Sequence, residues 1–194
     1  MKIVYLGNSI TLHGIAHDIG WHWEWGMAAS ALEKDYVRVL NRRIEEKTGE
    51  PVAYKVANIA TFERDPENFD LSFFQPFRDW QPDVIILRIC ENTPADKIDA
   101  FGAAYPQLIR YLLEGREPGT VQIYAVGAFW QDDKKEAYIR DAGKMPGVTY
   151  VSLEHLHSTD YQAIGLFEHA GVAGHPSDKG MAAIAEAILA AMPL

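Results

Sequence analysis

Two polar residues stand beside predicted secondary-structure elements, in positions that suit a nucleophile and a base. Ser9 lies in "YLGNS", immediately after a short apolar run that predicts a buried strand. His175 precedes Pro176, whose ring restricts the backbone just before a predicted C-terminal helix. A serine hydroxyl attacks only when a base lies within hydrogen-bond reach and donors stabilise the oxyanion. The pair is therefore a candidate for nucleophilic catalysis; the alternative is that Ser9 only caps the following turn.

The elements that must position these residues follow from the apolar pattern. Five short runs rich in Val, Ile and Tyr predict strands that are covered on both faces. These runs are Lys2 to Leu6, Ala53 to Ala57, Val84 to Leu87, Val121 to Val126 and Thr149 to Val151. Apolar residues at helical spacing predict helices between them. The helical segments are 32–44 with the stop signal Gly49, 98–112 ending at Gly115, a weaker one at 132–142, and 181–192 with Ser177 as its cap.

Alternating strands and helices predict an α/β fold, a three-layer αβα sandwich around a five-stranded, mostly parallel, flavodoxin-like sheet. We expect residues 1–194 to form a single domain, because this length suits one core. In such sheets ligands bind beyond the carboxyl ends of the strands. Polar segments follow three predicted strands there, at 7–9, 58–64 and 90–92. We therefore expect these three loops to converge on one edge of the sheet.

The composition narrows the classes of function. Hydrophobic residues make up 48% and charged residues 23% of the 194, as in ordinary globular proteins. A net charge of -9 argues against a nucleic-acid partner. The one cysteine, Cys90, excludes an intrachain disulfide, and we interpret it as a buried filler. No apolar run reaches the roughly 18 residues of a membrane span. The apolar run at the N-terminus is too short for a signal peptide. We expect a cytoplasmic location by default, with a removed leader as the alternative.

Three blocks, in the order that the family's blocks take, resemble those of the SGNH (GDSL-like) hydrolases. Ser9 lies at the nucleophile position of the first block, "GNSIT", where its N–H would also be one of the oxyanion donors. Asn92 lies at the oxyanion-hole asparagine of the third, "CEN", although it could also cap a helix near Pro94. His175 lies at the catalytic base of the last block, "HPSDKGM". The resemblance covers nearly the whole chain, and it implies an αβα sandwich that hydrolyses esters through an acyl-enzyme, without metal or cofactor.

The blocks also depart from the family pattern. The aspartate that usually precedes the serine is Asn8, and the glycine that usually opens the third block is Cys90. The second block, "VANIATFERD", has no glycine to supply an oxyanion N–H, so Ala60 or Thr61 would have to supply it.

The triad acid is the largest departure, because the family's aspartate lies three residues before the histidine and Val172 stands there. The Nδ1 proton of His175 still needs an acceptor. Glu168, Asp160 or a backbone carbonyl near Val172 could supply it, the last leaving a Ser-His dyad.

Aromatic residues suggest a substrate wall. Trp21, Trp23 and Trp25 alternate with polar residues in "HDIGWHWEWG", which predicts either a loop folded over the first helix or a platform for a sugar ring. The candidate wall residues are Trp23, Trp25, Phe62 and Trp130. His17, Asp18, His22 and Glu24 match no metal-binding spacing, so no metal site is predicted. We interpret Glu63 and Arg64 as bracing the cleft.

The leading hypothesis is a metal-independent serine esterase for short acyl esters, such as acetyl groups on carbohydrate. The substrate is then a small-molecule or glycan ester. Within the same class, a lysophospholipase or thioesterase is the alternative. Outside it, the chain could be a catalytically weak module that binds a glycan or small ligand, or a flavodoxin-like domain that binds a cofactor.

Overall fold

The computed structural model describes residues 1–194. Five strands form a single parallel sheet with the order β2-β1-β3-β4-β5. The strands are β1 (Lys2–Gly7), β2 (Ala53–Asn58), β3 (Val84–Arg88), β4 (Gln122–Val126) and β5 (Val148–Val151). The predicted α/β class and flavodoxin-like strand order are confirmed.

Seven α-helices connect and cover the strands. They are α1 (Tyr36–Thr48), α2 (Ala60–Arg64), α3 (Gln75–Asp79), α4 (Ile98–Leu113), α5 (Asp133–Ala142), α6 (Ala170–Ala173) and α7 (Asp178–Ala191). The ends of the long helices follow the capping signals: the Ser177 side chain accepts from the N–H of Gly180, and Gly49 ends α1 with a φ of 73°. No helix is both long enough and apolar enough to cross a bilayer.

Two apolar layers enclose the sheet, because side chains alternate between its faces. Ile3 and Tyr5 of β1 pack into a cluster that includes residues of α1 and α7. Val4 and Leu6 point the other way, into a cluster that includes residues of α4 and α5. Apolar side chains cover both faces of the sheet, so the edge formed by the carboxyl ends of the strands is the place left for polar groups.

The register of the central strands places the predicted loops together. Gly7, the last residue of β1, pairs with Asn58 of β2 on one side and with Arg88 of β3 on the other. The three segments that follow these residues therefore leave the sheet side by side.

Candidate active site

Ser9 leaves β1 in a tight turn that only glycine permits. The carbonyl of Asn8 accepts hydrogen bonds from the N–H groups of Thr11 and Leu12, each at 2.9 Å. A Cβ at Gly7 would lie 1.8 Å from Oγ1 of Thr11. The strand ends in glycine because the chain folds back against its own last residue, which turns the Ser9 hydroxyl out at the sheet edge.

Ser9 and His175 meet although 166 residues separate them. Oγ of Ser9 lies 2.8 Å from Nε2 of His175. Nδ1 of His175 lies 2.6 Å from the carbonyl oxygen of Gly171, so the Nδ1 proton is donated there and Nε2 is free to accept from the hydroxyl. This is the hydrogen-bond arrangement that a serine needs for activation by a general base.

A backbone carbonyl, and not a carboxylate, orients the histidine. Neither Glu168 nor Asp160 makes a hydrogen bond or ion pair with His175. Gly171 belongs to the four-residue helix α6, and the side chain of His169 caps that helix by accepting from the N–H of Val172. The Val172 side chain is fully buried in an apolar cluster with Trp21 and Met27. The position of the family's aspartate is therefore filled by a core residue.

Burial lowers the pKa of His175 to about 4, against the opposing effect of the hydrogen bond to Gly171. The positive charge of Arg88 lowers it further, and Glu91 raises it. The imidazole is therefore neutral at pH 7 and able to take a proton.

Glu63 holds the predicted oxyanion asparagine. Nδ2 of Asn92 donates to Oε2 of Glu63 at 2.7 Å, and the backbone N–H of Cys90 donates to Oε1. Glu63 is fully buried, and burial together with the nearby Glu91 raises its pKa to about 7. Because an amide nitrogen carries two protons, Asn92 keeps one for a ligand in the cleft.

The Asn8 side chain connects Glu63 to a second buried carboxylate, that of Glu91. Its Nδ2 donates to Glu63 at 3.1 Å and to Glu91 at 2.6 Å, while its Oδ1 accepts from Arg88 at 3.1 Å. Arg88 also pairs with Glu91. Burial raises the pKa of Glu91, but Arg88 and the hydrogen bonds to this carboxylate outweigh it and lower the pKa overall. An aspartate at position 8 would face two carboxylates, which explains the departure from the family pattern.

The other predicted oxyanion donors lie less favourably. Ala60 lines the cleft, but its N–H already donates to Oδ1 of Asn58 at 3.0 Å. Thr61 is exposed and does not line the cleft. The N–H of Ser9 has no hydrogen-bond partner within the protein. Of the predicted oxyanion donors, the Ser9 N–H and one Asn92 amide proton are therefore free.

The cleft at Ser9 encloses about 310 Å³. Ser9, Asn92 and His175 line it together with residues that the sequence did not single out, namely His13, Ile19, Met27 and His169. A wider cavity of about 650 Å³ adjoins it, since Ile19 and His169 line both. Asp18, His22 and Glu168 line the wider cavity.

None of the four residues of the predicted aromatic wall lines the cleft. Phe62 is fully buried in the core beside Phe101. Trp23 and Trp25 stack on each other, with ring centroids 5.5 Å apart. Trp130 packs edge-on against the His175 ring, and its Nε1 donates to the carbonyl of Gly174. Both contacts help to hold the imidazole in place.

Arg88 contacts Asn8 and Glu91 at the site, and the sequence did not predict this. Its side chain is fully buried under the cleft. The available signal was a charged residue directly after the apolar run of β3, because an unpaired charge is costly at a buried strand end. The Gly171 carbonyl, by contrast, corresponds to one of the alternatives that the sequence left open, a backbone carbonyl near Val172.

Comparison with known proteins supports the same class of fold. No family model matches the chain, and no curated protein matches it in sequence. Solved structures do match. The lipase Lip_vut3 from a goat rumen metagenome superposes with a TM-score of 0.62 and 15% identity, over 98% of this chain and 97% of that one.

Two esterases give similar values. A catalytic mutant of Axe2, an acetylxylan esterase from Geobacillus stearothermophilus, matches with a TM-score of 0.59 and 14% identity, over 100% of this chain and 94% of that one. The psychrotrophic esterase EstA from Pseudoalteromonas sp. matches with a TM-score of 0.61 and 10% identity, over 98% of this chain and 95% of that one. The chain has the fold of the SGNH hydrolases, and the predicted resemblance is confirmed at the level of fold.

Proposed function

We propose that the protein is a serine esterase that works through an acyl-enzyme. The observation that carries this proposal is the 2.8 Å contact between Ser9 Oγ and His175 Nε2 at the floor of a cleft. Ser9 Oγ bonds to the acyl carbon while His175 takes the hydroxyl proton. The ester C–O bond then breaks, and His175 gives that proton to the leaving alcohol. Water, deprotonated by His175, releases the acid and restores Ser9.

The Ser9 N–H and the free amide proton of Asn92 support the oxyanion in this scheme. Both belong to residues that line the cleft with the nucleophile. Glu63 fixes the Asn92 amide by a 2.7 Å hydrogen bond, and a fixed donor does not have to reorganise as charge develops.

The dimensions and lining of the cleft favour short acyl groups. Among its lining residues only Ile19, Met27 and Ala60 are hydrophobic, which does not suit a long acyl chain. The adjoining cavity offers carboxylates and imidazoles, groups that hydrogen-bond hydroxyls, so it suits the alcohol part of a carbohydrate ester. We therefore favour short acyl esters of carbohydrates over lysophospholipids or thioesters.

The test is hydrolysis of p-nitrophenyl acetate by the wild type, Ser9→Ala and His175→Ala. We expect kcat to fall roughly 1,000-fold or more in both variants, because the nucleophile and base act as one unit. Circular dichroism of each variant serves as the folding control. Turnover by a folded Ser9→Ala variant at the wild-type rate would contradict the proposal and favour a binding module.

A further inference from the structure

Arg64 is the only arginine or lysine that lines the catalytic cleft. No aspartate or glutamate lines the cleft, although the chain has a net charge of -9. His13 and His169 also line it and can add donors but no negative charge. A cation without a carboxylate beside it attracts anions, the more so in a concave site.

The neighbours of Arg64 explain why its charge stays available. Glu63, one residue before it, is buried and engaged with Asn8 and Asn92. Asp65, one residue after it, forms an ion pair with Lys97 at 2.6 Å. Arg64 itself is exposed and makes no hydrogen bond or ion pair. The carboxylates on either side of Arg64 are thus engaged elsewhere, and the guanidinium at the end of helix α2 is left at the cleft.

We propose that Arg64 forms an anion-binding subsite of the cleft, and that the preferred ester carries a carboxylate close to the scissile acyl group. This inference rests on the proposed function and narrows its substrate class. A guanidinium presents a planar fork of donors that matches the two oxygens of a carboxylate. An acylated acidic sugar or the half-ester of a dicarboxylic acid has that chemistry.

The kinetic test compares phenyl acetate with 3-acetoxybenzoate, two acetate esters that differ by one carboxylate on the alcohol side. We expect wild-type kcat/KM to favour 3-acetoxybenzoate, and this preference to fall about tenfold or more in Arg64→Gln. Arg64→Lys keeps the positive charge but loses the forked donors of the guanidinium. Its preference for 3-acetoxybenzoate should therefore lie between those of the wild type and Arg64→Gln. Added salt should weaken the wild-type preference, because Arg64 is exposed and its charge is screened.

Arg110→Gln is the matched control. Arg110 is exposed on α4, does not line the cleft and makes no ion pair, so its loss changes the net charge equally. Arg110→Gln should keep the wild-type preference for 3-acetoxybenzoate over phenyl acetate. An equal loss of preference in Arg110→Gln would overturn the proposal, and so would a wild type that does not distinguish the two esters. A stronger preference for 3-acetoxybenzenesulfonate than for 3-acetoxybenzoate would overturn the assignment of a carboxylate.

Binding separates this inference from the esterase proposal. Titration of 3-acetoxybenzoate into Ser9→Ala and into Ser9→Ala/Arg64→Gln, followed by NMR, needs no catalysis. We expect affinity for the first to exceed affinity for the second by about tenfold, with phenyl acetate binding both alike. Equal affinities for 3-acetoxybenzoate would overturn the Arg64 subsite even if the enzyme turns over. The expected difference in affinity would support the Arg64 subsite even if Ser9→Ala hydrolyses p-nitrophenyl acetate as the wild type does.

Discussion

At the residue scale, the carboxylate of Glu63 lies among groups that all donate to it. Asn8 and the Cys90 N–H donate to Oε1, and Asn92 donates to Oε2. A glutamine at position 63 would turn its own NH₂ group toward one of these donors, so one contact must break. The carboxylate is thus a positioning group for the Asn92 amide.

We predict that Glu63→Gln lowers kcat about 10- to 100-fold and changes KM little. A misaligned oxyanion donor weakens the transition state more than the bound ester, and losing such a donor outright costs about 100- to 1,000-fold. Steady-state kinetics on p-nitrophenyl acetate measures both constants. Glu67→Gln, an exposed neighbour without an ion pair, is the control and should match the wild type. A rise in KM at constant kcat would contradict a positioning role.

The same carboxylate predicts a pH dependence. The pKa of Glu63 is raised to about 7 by burial and by Glu91, whereas the pKa of His175 is lowered to about 4. As the pH falls through 7, Glu63 gains a proton and can no longer accept from all its donors. We expect wild-type kcat/KM to decrease with an apparent pKa near 7. In Glu63→Gln this transition should be absent, and only the one near 4 should remain. A transition near 7 in both proteins would assign it to another group.

These residues show what the sequence could predict about the site. Ser9, Asn92 and His175 were found because each stands in a recognisable block beside a predicted element. Glu63 was interpreted only as a brace of the cleft, and a backbone carbonyl near Val172 was one of several alternatives for orienting His175. Arg88 was missed, because it acts through contacts across separate segments. None of the predicted wall residues lines the cleft, because a sequence does not say which side of a loop faces a cleft.

At the element scale, long periodic segments were predicted well and short ones were missed. All five strands and the helices α1, α4, α5 and α7 occupy the predicted segments. Helices α2, α3 and α6 have five residues or fewer, too few to show an apolar period. Two of these short helices carry functional groups, because α2 begins at the cleft residue Ala60 and α6 supplies the carbonyl that orients His175.

Helix α6 predicts that restoring the family's aspartate fails. The Val172 side chain is fully buried in the cluster with Trp21 and Met27, and the Nδ1 atom of His175 is already paired with the Gly171 carbonyl. Val172→Asp would bury a carboxylate without a partner, which costs roughly 3 kcal/mol or more. We expect a lower free energy of unfolding in urea and no gain in kcat on p-nitrophenyl acetate.

Val172→Ala is the control for that experiment, because it removes methyl groups without adding charge. The aspartate variant should be clearly less stable than the alanine variant. Equal stabilities would mean that the carboxylate finds a partner. A rise in kcat would place that partner at His175.

At the scale of the whole molecule, two fully buried charged residues, Glu63 and Arg88, lie at the edge of the sheet that carries the cleft. Two apolar clusters fill both faces of the sheet. Burying charge has a cost, and the hydrogen bonds among these groups offset part of it. Folding therefore links the stability of the whole chain to the protonation of the site.

His175 makes that link measurable. Its pKa is about 4 in the folded protein and 6.5 as the ordinary value, so between these pH values the unfolded chain binds the proton more strongly. The contribution of His175 to stability must then fall as the pH drops from 6.5 to 4, whereas that of Glu63, whose pKa is raised, changes in the opposite direction. We predict that the free energy of unfolding in urea decreases more between pH 7 and pH 5 for the wild type than for His175→Asn, whose amide can still donate to Gly171. His155→Asn, which removes an exposed histidine, should behave as the wild type. Identical pH slopes for the wild type and His175→Asn would show that the buried imidazole is not linked to unfolding.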